Sequence, residues 1–534
     1  MKPTLRFSKL FPWFLLGLAL ALSFFTYARY GLYTLDADQS SEFVLADHLN
    51  QKKALLSTDW FYSTELRTVS PVPIYQLGLA LFSSWHMARL FSILVIAIGT
   101  TAAFLFAARQ AGCLEEAVYC AACFILPYSK IHSFLFSWGG FYSMYLIAGC
   151  LSLGLILSID RASHSIPKFI LLIILGIWSG TAGIRMFMIF GVPFLFASLF
   201  FQMRSASIPR SGKAQPSWLL IATAVFLLSM LAGYLINRFA LSPRFHYREY
   251  GTLHTDAFQF SDFLKHIDAL CTYFGYKADT VIVSMEGGIS FLLILLVFAV
   301  LFVPLTLLRK PSLPDYHRLL AIFALSGILF VWILDCVAAG YSATPYAVGY
   351  YMMGLLFSLL SIFLAIRHLS ISSLLRKCLM AALVLLFFGN TISFVRRDIP
   401  SHDMQQAKAA AWLEENGYTT GYATFWNGNL LTEFSDGKLD VYVYNTWLSQ
   451  KPYEWLQTVR HTTEHPEGRV FLYTDTDEIA LCPPPCISDE HLVYAEDNIR
   501  IYSFDDAQDI YLKQLNQVID PNSPLLTGEL PAHP

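Results

Sequence analysis

The amino-acid sequence predicts a polytopic α-helical membrane protein of about eleven transmembrane helices, followed by a C-terminal extracytoplasmic α/β or α+β domain. Three observations predict it. The 534 residues are 55% hydrophobic and only 14% charged, with a mean hydropathy of +0.49, whereas soluble domains carry about 25% charged residues. Long apolar runs recur through the first three quarters of the chain. Beyond Arg396 the composition turns polar, and the remaining residues, about 135, suffice for one small domain.

The apolar runs lie near 10–30, 86–108, 115–127, 138–158, 168–183, 187–203, 217–238, 287–308, 318–338, 347–366 and 376–395. Crossing a hydrocarbon core of roughly 30 Å takes about 20 residues, so the third, fifth and sixth runs are short for a span. The first follows Lys2, Arg6 and Lys9 and, with no small-residue cleavage site after it, reads as a retained helix.

Basic residues gather on the cytoplasmic side of membrane helices. With the N-terminus cytoplasmic, the inside segments hold Arg109, Arg161, Lys168, Arg204, Arg210, Lys213, Arg309, Lys310, Arg318, Arg367, Arg376 and Lys377, while Arg396 and Arg397 oppose the rule. Residues 1–395 then form a membrane module with outside loops at 31–85 and 239–286. Residues 396–534 form an extracytoplasmic domain. In it a helix is expected over 403–416, stopped by Gly417, then strands over 420–425, 439–444, 469–473, 492–495 and 499–503, with a loose tail from 520. No repeat of fixed period is visible.

A net charge of −3 without a basic tract excludes nucleic acid as an expected partner. Of the nine cysteines, Cys113, Cys120, Cys123, Cys150, Cys336 and Cys378 sit in apolar sequence without zinc or haem spacing and read as small core side chains. Cys482 and Cys486 lie in polar sequence on the oxidising side, where a bridge between them is left open.

The first outside loop carries Asp36, Asp38, Glu42, Asp47, Asp59, Trp60, Tyr62, Glu65 and Arg67. A carboxylate just after the first membrane helix meets both water and lipid headgroups, and it can accept a proton from a hydroxyl. The plainer reading of Asp36 and Asp38 is a helix cap, since Asp is a common N-cap. Arg89, Lys130, His132, Arg185 and Asp335 fall near the outer ends of apolar runs; a charge at a helix centre costs about 2.5–3.5 kcal/mol, so such residues are functional candidates. Snorkelling to the interface is the alternative for each. The loop 239–286, with Arg244, His246, Tyr247, Arg248, Glu249, Tyr250, Asp256, Asp262 and His266, reads as a lid or acceptor groove without metal-ligand spacing. Tyr341, Tyr346, Tyr350 and Tyr351 read as an interfacial aromatic belt, with sugar stacking the lesser reading. In the polar domain, Trp426, Asn427, Asn429 and Glu433 combine an aromatic face with amides and a carboxylate, a set that suits a sugar; a strand-to-helix turn explains them equally.

The stretch from Asp38 through Thr58-Asp59-Trp60 and Pro71/Pro73 to Ala88-Arg89-Leu90 resembles the opening of the GT-C membrane glycosyltransferases, which include bacterial aminoarabinose transferases and protein O-mannosyltransferases. About 60 residues carry the resemblance. It implies a GT-C-like fold and a glycosyltransferase that moves a hexosyl or pentosyl group from a polyprenyl-phosphate donor to an extracytoplasmic hydroxyl of a glycan, lipid or protein, with inversion. It further implies Asp38 or Asp36 as the base, with Asp38 favoured by register. Arg89 and Arg185, backed by Lys130 and His132, would bind the donor phosphate, because a guanidinium grips phosphate oxygens as a planar fork. Tyr62, Glu65, Arg67, Trp426, Asn427, Asn429 and Glu433 would contact acceptor or sugar. The family's Asp-Glu pair is Asp-Ala-Asp here, and the segment from Ser129 to Trp138 holds no second carboxylate, so a divalent metal (Mg or Mn) is left open. The alternative is a transporter or flippase of lipid-linked sugars, or a non-catalytic protein of envelope assembly. A multi-pass protein of a bacterial plasma membrane is the expected setting, in keeping with the lack of any Asn-x-Ser/Thr sequon.

Overall fold

The computed structural model describes residues 3–510 apart from 65, 67, 162–164, 207–216, 248–259, 282, 338–344, 400–403, 448, 450–451, 485 and 508–509. Glu65 and Arg67, the side chains of Asp262 and Asp335, the segment from Arg248 to Asp256, Tyr341 and the tail from 520 therefore lie outside the described part.

In chain order the helices are α1 (Pro3–Tyr30), α2 (Ala37–Lys52), α3 (Val72–Leu81), α4 (Trp85–Ala111), α5 (Leu114–Phe124), α6 (Lys130–His132), α7 (Ser143–Arg161), α8 (Ile166–Gly180), α9 (Val192–Ala206) and α10 (Trp218–Ile236). There follow α11 (Phe260–Tyr273), α12 (Met285–Leu308), α13 (Asp315–Val337), α14 (Met352–Arg367), α15 (Ser373–Arg397), α16 (Gln405–Glu415), α17 (Phe425–Phe434), α18 (Arg460–Thr463) and α19 (Thr476–Leu481). The strands are β1 (Phe61–Tyr62), β2 (His246–Tyr247), β3 (Thr420–Thr424), β4 (Asp440–Tyr444), β5 (Val470–Asp475), β6 (Leu492–Glu496) and β7 (Ile499–Phe504).

Among the described residues eight helices are long and apolar enough to cross a membrane, starting at Lys9, Trp85, Ser143, Trp218, Met285, Asp315, Val348 and Ser373. The chain is a multi-pass membrane protein. The three runs that are short in sequence stay short: α5 has 11 residues, and α8 and α9 have 15 each. For α5 the reason is enclosure. Glu116 through Phe124 are buried and the helix packs among α1, α14 and α15, so protein rather than bilayer thickness sets its length. In α14, Met352 through Leu364 are all buried, the mark of a helix surrounded by others.

The chain divides into two compact units. The first comprises Met1–Thr34, Thr64–Gly78 and Ala88–Pro400; the second comprises Leu35–Ser63, Leu79–Met87 and Ser401–Pro534. In the first, serine hydroxyls cap α10, α12 and α15, where Ser217, Ser284 and Ser372 accept from Leu220, Gly287 and Leu375. Its tightest crossing sets Gly176 and Gly180 of α8 against Ser229 and Gly233 of α10. A Cβ on Gly180 would lie 1.9 Å from the Met230 carbonyl oxygen, and one on Gly233 would lie 2.0 Å from that of Ile177. With no hydrophobic gain available between helices in lipid, such close backbone contact supplies the attraction.

The second unit is built on a five-stranded sheet in the order β4-β3-β5-β7-β6. β3 runs parallel to β4 and β5, with Tyr422 opposite Tyr442 and Gly421 opposite Phe471. β7 is antiparallel to β5 and β6. Ala409, Leu413, Leu431, Val441, Phe471 and Ile501 form the core on one side; Tyr422, Tyr442, Trp447, Leu472 and Cys486 pack together on the other, with Cys482 against them. All five expected strands are present, and α16 ends before Gly417 at φ 73. The first outside loop, which the sequence reading keeps with the membrane part, contributes α2 and β1 to this unit. Its backbone is stitched to residues 456–459: Phe61 donates to Gln457 (2.9 Å), Leu456 to Phe61 (2.8 Å) and Val459 to Asp59 (2.8 Å).

Replacing Gly180 or Gly233 by Val should force α8 and α10 apart, at a cost of about 1–3 kcal/mol or more. Gly288, with nothing within 4 Å of a built Cβ, should accept Ala without loss. Thermal midpoints and monodisperse yield after detergent extraction measure the contrast; equal behaviour of all three variants would refute the close-packed crossing.

Candidate functional site

In the membrane unit, Arg89 sits near the start of α4 with 0% of its surface exposed. Its guanidinium lies 5.7 Å from the centre of the Tyr75 ring, and the Tyr75 hydroxyl donates to the Gly139 carbonyl (3.0 Å). Arginine does not discharge on burial, so the cation is held there by its protein surroundings. Arg185 is half-buried; its Nη2 donates to Thr64 Oγ1 (3.2 Å) and its guanidinium lies 5.9 Å from the centre of the Tyr350 ring.

Among the described residues three π-helical turns interrupt this unit, at Ser133–Ser137, Phe187–Gly191 and Asn237–Leu241, a distortion frequent at functional sites. Lys130 and His132 immediately precede the first and Arg185 the second. Arg238 lies in the third; sequence reasoning missed it, although an arginine ending an apolar run was the available signal. Lys130 is exposed.

His132 does not fit the phosphate role expected of it. The side chain is wholly buried; Nε2 lies 2.8 Å from the Phe124 carbonyl oxygen, which can only accept, so Nδ1 accepts from the Tyr273 hydroxyl (3.0 Å). Stacked on Tyr128 with ring centres 3.9 Å apart, the neutral imidazole pins the turn after α5.

In the second unit, Asp36 is the N-cap of α2: its backbone is extended (φ −129°, ψ 175°) and Oδ1 accepts from the Gln39 amide (2.9 Å). Asp38 lies in the first helical turn and is not the cap. The two aspartates thus separate into a structural and a chemical candidate. Tyr62 is a correction: it is 1% exposed, its hydroxyl accepts from the Ser57 amide (3.0 Å), and burial pushes its pKa up to about 12. It anchors the loop rather than meeting a sugar.

Trp426, Asn427, Asn429 and Glu433 do not form one face. Trp426 is 47% exposed, while Asn427, Asn429 and Glu433 are buried. Asn427 accepts from Gln406 Nε2 (3.0 Å) and donates to Glu478 Oε1 (3.0 Å), which also takes a hydrogen bond from the Thr424 hydroxyl; Thr474 donates to the other Glu478 oxygen (2.9 Å). This cluster sits at the carboxyl ends of the parallel strands β3 and β5. Burial, with the nearby Asp475 charge, raises the Glu478 carboxyl to about 7.

Asn429 turns the other way, donating to the Leu456 carbonyl oxygen (3.3 Å) and lining a cavity of about 280 Å³ with His48, Trp60, Trp85, Asp440 and Arg460. Against this cavity, Gln457 Oε1 accepts from the Val443 amide (3.0 Å), so His461 Nδ1, 3.0 Å from the same oxygen, donates to it, while Nε2 is 2.8 Å from Asp440 Oδ1. Burial works to raise the Asp440 carboxyl, but the bond and charge of His461 and the charge of Arg460 outweigh it and hold the carboxyl below its ordinary value. None of these residues is marked by sequence spacing, because α2, β4 and α18 meet only after the loop is stitched to the sheet. Among the described residues, no three His, Cys, Asp or Glu side chains gather as a metal-ligand set.

No protein-family model and no curated protein sequence matches the chain. Solved structures do. The crystal structure of ArnT from Cupriavidus metallidurans bound to undecaprenyl phosphate superposes with a TM-score of 0.56 at 12% identity, covering 92% of this chain and 97% of that one. The apo oligosaccharyltransferase of Archaeoglobus fulgidus gives 0.47 at 13% identity over 80% of this chain and 64% of its own. The oligosaccharyltransferase AglB from Archaeoglobus fulgidus, in complex with an inhibitory peptide and a dolichol-phosphate, gives 0.44 at 12% identity over 80% of this chain and 64% of its own. The chain thus shares the fold of ArnT, a likeness that the first-loop resemblance leads one to expect.

The Glu478 cluster yields a pH dependence. Between the ordinary carboxyl value of 4.5 and about 7, the folded chain keeps the Glu478 proton that the unfolded chain has lost, so this contribution to stability declines as pH rises through that window and is gone above it. Proteolytic resistance of the polar unit should therefore fall from pH 5 to pH 8 more steeply in the wild type than in Glu478→Gln. Parallel profiles would refute the raised carboxyl.

Proposed function

We propose that the chain is a membrane glycosyltransferase that moves a hexosyl or pentosyl group from a polyprenyl-phosphate carrier to a hydroxyl on the extracytoplasmic face. The observation that carries this reading is the fold shared across 92% of the chain with ArnT, whose structure holds undecaprenyl phosphate. The position of Asp38, in the first turn of the helix that follows the first membrane helix, supports it. The basic-residue pattern supports a cytoplasmic N-terminus and an extracytoplasmic polar unit.

In the proposed reaction the acceptor hydroxyl oxygen attacks the anomeric carbon and its proton passes to the Asp38 carboxylate. The bond from that carbon to the phosphate oxygen breaks as the new one forms, inverting the centre. The electron pair leaves on the polyprenyl phosphate, whose charge Arg89 and Arg185 take up. Lys130 and Arg238 assist in drawing the anionic headgroup. Asp36, spent on the helix cap, holds α2 in place and takes no proton.

Asp38→Asn should reduce transfer about 10²–10⁴-fold while leaving polyprenyl-phosphate binding intact. Asp36→Asn, which keeps a capping oxygen, should retain most activity, and Asp36→Ala should cost about 1 kcal/mol of stability. Radiolabelled sugar transfer by purified protein in nanodiscs, with lipid binding measured in parallel, reads both. Full activity in Asp38→Asn would overturn the assignment.

Arg89→Gln and Arg185→Gln should weaken donor binding and slow turnover together. His132→Ala should lower folded yield without a specific rise in the donor KM. The opposite pattern would return His132 to the phosphate site.

A further inference from the structure

The second unit holds a built cavity that the proposed transfer chemistry does not use. We infer that the cavity between α2, α17 and the β4–α18 edge of the sheet is a binding site for a single uncharged sugar ring.

Size comes first. About 280 Å³ falls just below the range of about 300–1,000 Å³ typical of drug-sized ligands, which suits one ring and excludes a nucleotide or a polyprenyl chain. The walls carry the chemistry of carbohydrate recognition. Trp60 and Trp85 are 1% and 6% exposed, and their indoles offer apolar faces for ring carbons. The Trp60 indole N–H is buried with no hydrogen-bond partner among the described residues, a costly omission in a closed core that a ligand hydroxyl would repair.

The polar groups are fixed before any ligand arrives. Asp440 is held by His461 at 2.8 Å through one oxygen and by Arg460 at 2.6 Å through the other. Arg460 gives this bond from one of its five N–H groups, and the guanidinium, 47% exposed at its side chain, faces the same cavity. On the opposite wall Gln51 donates to Asp47 (2.7 Å), and His48 sits 3.0 Å from the Ser57 hydroxyl with its ring beside Trp60. Arg460 and His461 are both taken up by Asp440, and the second carboxylate of the lining, Asp47, repels an anion, so the cavity favours a neutral polyol over phosphate.

The walls are also rigid. Trp60 is bridged to Thr458 by the loop stitching, and the Trp85 amide donates to Asp436 Oδ1 (2.8 Å). Gly437, at φ +77, leaves room for the Trp85 ring; a Cβ there would come within 2.5 Å of it. Such fixed aromatic and polar groups reduce the entropy cost of binding a small ligand.

The test is ligand-observed saturation-transfer NMR on the full chain in nanodiscs with free mannose, galactose, N-acetylglucosamine and arabinose, and with inorganic phosphate as a fifth probe. At least one sugar should bind saturably, with a Kd of about 1–10 mM. Trp60→Phe, which keeps the ring and removes the N–H, and Arg460→Gln should each weaken it about tenfold; Thr432→Phe, which fills the cavity, should abolish it. No saturable sugar binding, binding of phosphate alone, unchanged binding in Trp60→Phe, Arg460→Gln and Thr432→Phe, or loss of binding in Trp426→Ala instead would each overturn the inference. Transfer activity that persists without any sugar binding sinks this site and leaves the proposed reaction standing. Sugar binding in a chain whose Asp38→Asn variant transfers normally does the reverse.

Discussion

A hydrocarbon solvent offers no hydrogen bonds, and that constraint organises the membrane unit. Every departure from the α-helix at membrane depth has to be satisfied by protein. The structure meets the demand with a few buried polar side chains. Ser129 caps α6 and its hydroxyl donates to the Tyr273 carbonyl at 2.6 Å. The Asn390 amide donates to the carbonyls of Tyr128 and Phe274 at 3.2 and 2.8 Å. His132 joins Phe124 to Tyr273, and the Asn237 side chain reaches the Thr181 carbonyl. These groups resemble catalytic residues in sequence because they are polar and surrounded by apolar neighbours. Their geometry shows that they hold irregular backbone.

The irregular turns they stabilise have a consequence for chemistry. Lys130, Arg185 and Arg238 each stand in or beside a turn that leaves the helical path. Charged groups are tolerated where backbone and side chains supply partners, and a distorted turn offers more directions for a side chain than a regular helix does. Arg89 follows another route: it is fully enclosed near the start of α4, with an aromatic ring beside it.

The second unit answers to water and follows different rules. Its sheet buries apolar residues on both faces, as the helices and loops on either side require. What distinguishes it is the recruitment of α2 and β1 from the far end of the chain. Ala37 packs with Phe425, Val443 and Leu456, and Phe43 meets Trp85 edge-on at 5.5 Å. The helix capped by Asp36 is therefore packed into the second unit, and the polar cavity lies between that helix and the β4 edge of the sheet, with two tryptophans in its lining.

Several features were legible in the linear chain for local reasons. Apolar runs declare membrane helices because burial in lipid requires it at nearly every position, and the five strands declare themselves by β-branched and aromatic runs between turn residues. The cap at Asp36 follows from an aspartate before a helix-forming segment, and the first-loop pattern ending at Ala88-Arg89-Leu90 pointed to the fold that the chain shares with ArnT. The structure assigned that cap to Asp36 rather than Asp38 through the Gln39 amide, a local contact; tertiary structure decided what lies further off. It alone withdrew His132 and Tyr62 from the site, dispersed Trp426, Asn427 and Asn429 in different directions, and joined His48, Asp440 and Arg460 around one cavity. The cavity in particular joins residues hundreds of positions apart, and no local pattern of residue types encodes which distant backbone a side chain will meet.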